Sequence, residues 1–179
     1  RYFYELGVHI NQIDGVSVEV IAPLYHNQYL FEGKLPVKGR YIKEKFISTR
    51  LKRNINKILS PQYIRSFNPD ILHETYFSST PIYKSNYPIV TTVYDMIHEK
   101  FSDLFSDDPT SENKKKSVER AEKVICISNN TKSDLINLFG VSEDKITTIH
   151  LGFSFPNIYK TITNNISFSK PFILYVGQR

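Results

Sequence analysis

Short runs of β-branched and other apolar residues, several of them without polar alternation, constrain the fold of this chain most strongly. They lie at residues 16–23, 71–74, 89–94, 124–127, 146–149 and 172–176. Strands that are buried on both faces of a parallel sheet have continuous apolar sequences of this kind. The pattern therefore predicts a mostly parallel sheet covered by helices.

Helical patterns lie between most of these predicted strands. They occupy residues 2–13, 42–59, 112–123 and 130–139, and the last ends at Gly140, a residue type favoured just beyond a helix. Only about a dozen residues connect the strands at 71–74 and 89–94, near the minimum for a parallel crossover, so a short or irregular helix is expected there. Strands alternating with helices predict a doubly wound α/β fold.

Four of the five histidines come just after separate predicted strands. These are His26, His73, His98 and His150. The carboxyl ends of parallel strands line one crevice, and ligands bind there in open α/β sheets. We therefore expect the polar chemistry of the protein at that edge.

The one cysteine, Cys126, lies inside a predicted strand. It has no partner for an intramolecular disulfide, which favours a cytoplasmic location, and the simplest interpretation is a small buried hydrophobe. No apolar run approaches the roughly 18 residues that a membrane span needs.

The net charge of +5 is concentrated in one predicted helix. Lys43, Arg50, Arg53 and Lys57 are predicted to share one face of the helix at 42–59, and Ile47, Leu51, Ile55, Ile58 and Leu59 to occupy another. The simplest interpretation is a solvated outer face, and the alternative is contact with anionic lipid head groups. Nucleic acid is not an expected partner, because no aromatic stacking motif or nucleic-acid fold signature accompanies the charges.

Several familiar catalytic motifs are missing from the sequence. No GxGxxG or P-loop motif supports a dinucleotide or P-loop nucleotide site, and no GxSxG motif supports a hydrolase of the nucleophile-elbow type. No HExxH, CxxC or His-x-His spacing suggests a metal site. The absence of these motifs therefore argues against conventional dehydrogenases and hydrolases.

Five segments together resemble a known family. They are RYFYEL at 1–6, PDILHETYF at 69–77, PIVTTVYDMIHEKF at 88–101, AEKVICISNNTKSDL at 121–135 and KITTIHLGFS at 145–154. Their order and spacing resemble the amino-terminal domain of retaining GT-B glycosyltransferases of family 4. The closing KPFILYVGQR is similar to the first strand of the family's carboxy-terminal, nucleotide-sugar domain.

The resemblance implies a Rossmann-like, acceptor-side domain over residues 1–169, without its first strand and Gly-rich turn. Residues 170–179 would begin a truncated second domain. Most of the donor site would then lie beyond Arg179, so we expect this chain alone to fold but to be inactive.

The resemblance also implies a catalytic cluster of Tyr94, Asp95 and His98. The family commonly carries His-Asp where this chain has Tyr94 and Asp95, so the aromatic shape is kept and the imidazole is lost. His98, one helical turn further on, is a candidate replacement for that imidazole. Asp95 would orient Tyr94, His98 or an acceptor hydroxyl, or else cap the following turn.

Residues near the other strand ends are implied to bind the two substrates. His73, Glu74 and Tyr76 would meet the acceptor; the alternatives are that His73 and Glu74 shape the loop and that Tyr76 packs in the core. Arg1, Ser128, Gly152 and Arg179 would lie near the donor phosphates. Ser128 would also cap a helix, and Gly152 would allow a backbone conformation that a side chain hinders.

The implied reaction is transfer of a sugar from a nucleotide-sugar donor to a glycan or lipid-linked acceptor, with retained anomeric configuration. The resemblance points to bacterial surface polysaccharide synthesis, in the cytoplasm or on the inner face of the membrane, with no metal cofactor. Two alternatives stay open. One is a sugar-nucleotide epimerase of similar architecture, and the other is a non-catalytic α/β domain that docks on a membrane or a partner.

Overall fold

The structure is a computed structural model that describes residues 1–43, 47–83 and 87–152. Its strands are β1 (Val20–Tyr25), β2 (Val37–Tyr41), β3 (Leu72–Glu74), β4 (Ile89–Val93), β5 (Lys123–Cys126) and β6 (Ile146–Thr148). Its α-helices are α1 (Tyr2–Ile10), α2 (Gln28–Phe31), α3 (Thr49–Phe67), α4 (Ile97–Lys100), α5 (Thr110–Arg120) and α6 (Asn129–Phe139). Short 3-10 helices cover Ser102–Leu104 and Glu143–Lys145.

All strand pairs that the structure describes are parallel. One sheet has the order β3-β4-β5-β6, and β1 and β2 form a separate pair. Each parallel step along the four-stranded sheet is a crossover, and α5 and α6 make the last two. The predicted Rossmann-like α/β fold is confirmed.

The apolar core lies between the four-stranded sheet and helices α5 and α6. Val118 of α5 and Leu135 of α6 pack with Val93, Val124 and Cys126 of the central strands. Cys126 is fully buried, and its burial raises the pKa of the thiol to about 11. Its interpretation as a small buried hydrophobe is therefore confirmed.

The two-stranded sheet differs most from the prediction. The strand expected at 16–23 runs instead from Val20 to Tyr25, and its partner β2 was not predicted at all. Lys38, Gly39 and Arg40 in the middle of β2 are exposed, so this strand has no apolar run to detect. Tertiary pairing with β1, rather than local sequence, makes it a strand.

Helix α3 begins later than predicted, and this corrects the proposed basic face. Ser48 caps the helix, because its Oγ accepts a hydrogen bond from the Leu51 N–H at 3.3 Å. Lys43 therefore precedes the helix and does not share a face with the exposed Arg50, Arg53 and Lys57.

The predicted apolar face of α3 is also partly wrong. Leu51 and Ile58 remain 52% and 68% exposed, whereas Ser60 and Ile64 are buried. The helix continues to Phe67, beyond the predicted end at residue 59, and stops where Asn68 adopts a left-handed conformation.

Asn56 of α3 holds β1 at its irregular point. The β1–β2 register shifts between Ile21 and Leu24. The Asn56 side chain accepts a hydrogen bond from the Leu24 N–H at 2.7 Å and donates one to the Leu24 carbonyl at 2.9 Å. A side chain thus satisfies both backbone groups of a residue at the edge of the shift.

The connection between β3 and β4 contains no helix within residues 75–83 and 87–88, whereas a short or irregular helix was expected there. Among the helices that the structure describes, none combines the length and the apolar character needed to cross a membrane.

Replacing Asn56 tests this contact. We expect Asn56→Leu to lower the free energy of unfolding by about 2 kcal/mol, because it leaves two partly buried backbone groups without partners. Urea denaturation of the variant and the parent measures the change. Asn54→Leu is the matched control, since Asn54 is exposed on the same helix. Equal loss in both variants would contradict a specific role for Asn56.

Candidate functional site

The carboxyl edge of the four-stranded sheet gathers most of the predicted site residues. Glu74 ends β3, Tyr94 directly follows β4, and Ser128 and His150 lie two residues beyond the ends of β5 and β6. His73 lies inside β3 rather than after it. His26 follows β1 and therefore belongs to the other sheet.

An aromatic cluster joins two of these strand ends to helix α1. Phe3 packs edge-on against His73, with ring centroids 5.3 Å apart, and against Tyr94 at 6.1 Å. Tyr2 packs edge-on against Tyr94 at 5.6 Å. Tyr2 and Phe3 were not predicted as site residues, although both belong to the RYFYEL segment. We call His73, Tyr94, Tyr2 and Phe3 the aromatic cluster.

His73 is a neutral member of this cluster at physiological pH. Burial lowers the pKa of the imidazole below its ordinary value. Its Nε2 lies 3.0 Å from the Oγ1 of the buried Thr92. The ring therefore has a fixed orientation at the sheet edge.

Tyr94 is a hydrogen-bond donor rather than a base. Burial, assisted by the neighbouring phenol of Tyr2, raises the pKa of Tyr94 to about 12. Its phenol therefore stays protonated at neutral pH. The Tyr94 carbonyl accepts a hydrogen bond from Thr131 Oγ1 of α6 at 3.2 Å, which anchors the residue through its backbone.

Asp95 shapes the turn that follows β4. Its Oδ1 accepts a hydrogen bond from the Ile97 N–H at 3.1 Å, at the start of α4. Its backbone carbonyl accepts one at 2.9 Å from Nζ of Lys114, a buried residue of α5. The bond to Ile97 forms an Asx-type turn ahead of α4, whose N-cap is Met96, so Asp95 shapes this turn without being the N-cap itself.

The structure places His98 away from the other two members of the predicted catalytic cluster. Its Nε2 lies 3.5 Å from Asp108 Oδ2, and its ring packs on Phe105 at 4.4 Å. Within the described residues, no hydrogen bond, ion pair or ring contact joins His98 to Tyr94 or Asp95. The expectation that His98 replaces the missing imidazole is therefore corrected: the α4 turn directs the ring toward the segment around Asp108.

Glu74 and Tyr76 have opposite surroundings. Glu74 is 2% exposed, and both its carboxylate oxygens accept hydrogen bonds from Arg120. Because the carboxylate is buried and already paired, we correct its assignment from acceptor binding to shaping of the loop. Tyr76 is 84% exposed, so the alternative that it packs in the core is wrong.

The residues predicted to bind the donor also have different surroundings. Ser128 caps α6, since its Oγ accepts a hydrogen bond from the Thr131 N–H at 3.1 Å. Arg1 is exposed and pairs with Glu5 at 3.5 Å. Arg179 and the predicted segment 170–179 lie outside the described residues.

Gly152 does not have the role that we expected. A Cβ placed there would meet no described atom within 4 Å, and its φ is not in the left-handed region. Nothing in the described part of the chain therefore requires glycine at this position.

The described residues offer no metal centre, because no group of three or more His, Cys, Asp or Glu side chains among them is arranged to hold an ion.

The low pKa of His73 predicts a pH dependence of stability. The unfolded chain takes up a proton on His73 at a higher pH than the folded chain does. The contribution of His73 to the free energy of unfolding is therefore fully present above the unfolded pKa, about 6.5. It is lost as the pH drops from there toward the lower folded pKa. Denaturation between pH 7 and 5 measures this slope. His73→Gln should flatten it, whereas His9→Gln, which changes an exposed histidine, should not.

Comparison with known proteins identifies the family of this chain. The sequence model of one family, Glycosyltransferase Family 4, matches residues 1–154, which include every site residue in the described part of the chain. No curated protein matches the chain significantly. The predicted resemblance is confirmed: the chain belongs to glycosyltransferase family 4 and carries the amino-terminal domain of a glycosyltransferase.

Proposed function

We propose that this glycosyltransferase transfers a sugar from a nucleotide-sugar donor to a hydroxyl of a glycan or lipid-linked acceptor, with retained anomeric configuration. The proposal places it in bacterial surface polysaccharide synthesis. The observation that carries it is the aromatic cluster, which stands at the sheet edge where open α/β folds bind ligands and lies inside the segment matched by the family.

Within this proposal, Tyr94 positions a sugar and does not abstract a proton. A phenol with a pKa of about 12 can donate a hydrogen bond at neutral pH but is a poor general base. The rings of Tyr2 and Phe3 limit the water around it, and this strengthens any hydrogen bond that it makes. Asp95 fixes the turn that carries Tyr94, or binds an acceptor hydroxyl through its carboxylate.

The proposed donor side uses cationic groups and helix dipoles. Departure of a nucleoside diphosphate develops negative charge, which fixed donors stabilise without reorganisation. The capped amino end of α6, after Ser128, carries partial positive charge at the same sheet edge. The exposed guanidinium of Arg1 and, from outside the described residues, that of Arg179 complete the proposed set. We expect no metal cofactor.

The basic face of α3 supports a contact with an anionic membrane surface. Arg50, Arg53 and Lys57 are exposed along the helix, and the exposed apolar side chains of Leu51 and Ile58 adjoin them. Helices that lie in a membrane interface combine basic residues with apolar side chains in this way. We propose a cytoplasmic enzyme that associates peripherally with the inner face of the membrane.

Substitutions in the turn after β4 test the site. In the full-length enzyme we expect Tyr94→Phe to reduce turnover several-fold, since one hydroxyl bond contributes about 1 kcal/mol. Asp95→Ala should reduce it about 100-fold, because misplacement of positioning groups has effects of that size. His98→Ala should have a small effect. The measurement is release of nucleoside diphosphate from a panel of nucleotide sugars in the presence of glycan acceptors.

Asp107→Ala is the control, since Asp107 is an exposed acid in the same connection. Thermal melts separate activity from stability. Full activity of Asp95→Ala with a lowered melting temperature would make the turn structural only. Release of no product by the parent with any donor would count against the transferase proposal itself.

Neutralising the basic face tests the membrane contact. Changing Arg50, Arg53 and Lys57 together to Gln should weaken binding to anionic vesicles about 100-fold at low salt, at about 1 kcal/mol for each charge. Binding to neutral vesicles should not change, and the difference should shrink as salt rises. Vesicle co-sedimentation measures both.

The matched control removes the same charge elsewhere. Lys34, Arg40 and Lys115 are exposed on other parts of the chain, and their change to Gln should have a much smaller effect. If both triple variants lose the same affinity, net charge rather than the α3 face governs the contact.

A further inference from the structure

A buried polar network ties the loop after β3 to helix α5. We call residues 74–78, which comprise the last residue of β3 and the four residues that follow it, the 74–78 loop. Its first residue, Glu74, and its last, Ser78, both contact side chains of α5, namely those of Ser117 and Arg120. Ser117 is fully buried and Glu74 is 2% exposed.

Arg120 binds both ends of the loop at once. Its Nε donates to Glu74 Oε2 at 3.0 Å, and its Nη2 donates to the same oxygen at 2.5 Å. Its Nη1 donates to the Ser78 carbonyl at 2.6 Å. A planar guanidinium can make these bonds in different directions simultaneously, whereas a lysine ammonium on its flexible stem cannot reproduce the fork.

Ser117 completes the attachment. Its Oγ accepts a hydrogen bond from the Ser78 N–H at 3.0 Å and lies 3.3 Å from the Ser78 carbonyl. Arg120 Nη2 also donates to this oxygen at 2.8 Å. Both backbone groups of Ser78 are therefore paired with α5, although the loop has no regular secondary structure.

This network determines what the loop exposes. With its ends held, the loop directs Phe77 against the core, where Lys114 Nζ lies 5.8 Å from the ring centroid. Tyr76 then stands at the apex, 84% exposed, next to the end of β3. Because both ends of the loop are held, the exposed tyrosine ring stands on a fixed base, with an apolar face and a polar hydroxyl free to contact a ligand.

We propose that Arg120 and Ser117 are positioning residues, which hold the 74–78 loop preformed so that Tyr76 stacks on a pyranose ring of the acceptor. The inference rests on the proposed transferase function. A preformed loop avoids an ordering cost at the moment of binding, so loss of the network should weaken sugar binding. Glu74 acts through Arg120 and does not touch the sugar.

A reporter at the apex tests the proposal without knowledge of the natural substrates. The 179 residues contain no tryptophan. We would introduce Tyr76→Trp into the full-length protein, label it with 5-fluorotryptophan, and assign the ¹⁹F resonance by comparison with the Tyr76 parent. We expect a shift distinct from that of the urea-unfolded protein. Adding Ser117→Ala or Arg120→Lys should move the resonance toward the unfolded position and narrow it.

Glu119→Gln is the matched control, because Glu119 is an exposed neighbour on the same helix. It should leave the resonance unchanged. Thermal melts accompany each variant, and Ser117→Ala keeps the test valid if Arg120→Lys fails to fold. A resonance that Ser117→Ala leaves unchanged would overturn the proposal, even if that variant melts at a lower temperature.

The second readout is sugar binding by the same resonance. The probes are the methyl α-D-pyranosides of glucose, galactose and mannose. At least one should shift the resonance of the Tyr76→Trp protein, and adding Ser117→Ala should weaken its affinity about tenfold. No shift with any probe, or equal affinity in both proteins, would overturn the positioning role. If the probes bind as expected while no nucleotide sugar supports transfer, the transferase proposal fails and the sugar-binding loop stands.

Discussion

The packing of helix α5 against strand β4 is the constraint on which the rest of the site depends. The buried positions of this helix are Lys114, Ser117 and Val118, and Ala121 follows at the next helical spacing. Val118 enters the core beside Val93, while the two polar residues reach the loops at the carboxyl ends of β3 and β4. One helix face thus both closes the core and holds the site.

The buried charges on this face have a geometric role more than a stabilising one. Lys114 pairs with Glu99 at 2.8 Å, and Arg120 pairs with Glu74 at 2.5 Å, with little exposure of either carboxylate. Removing such charges from water costs several kcal/mol for each ion, which their attraction only partly offsets. The pairs instead fix the direction in which each cation points, so that each also donates a hydrogen bond to a backbone carbonyl of a loop at the sheet edge.

The turn after β4 and the aromatic cluster depend on the same framework. Thr131 and Lys114 donate to the carbonyls of Tyr94 and Asp95 from two different helices, so the turn between them has little freedom. Tyr2 and Phe3 then cover the Tyr94 ring and displace water from it. Burial, together with the neighbouring phenol of Tyr2, raises the pKa of Tyr94, and the phenol therefore stays protonated at neutral pH.

Much of the fold could be predicted from the sequence because buried strands and capped helices leave local signals. Apolar runs predicted the strands around residues 72–74, 89–93, 123–126 and 146–148. Ser128, as a capping residue, predicted the start of α6. The placement of Tyr94 and Asp95 after β4 followed from the same pattern.

Contacts between residues far apart in the chain were decided only by the tertiary structure. Strand β2 carries no apolar run, and the burial of Lys114 and Ser117 is hidden in a polar helix. Glu74 and Arg120 are 46 residues apart, and only the β3–β4–α5 arrangement brings them together. The sequence alone therefore determined the strands of the four-stranded sheet and the edge at which their carboxyl ends meet. Long-range packing decided which polar side chains face it, because burial and hydrogen-bond partners depend on neighbours that local periodicity does not encode.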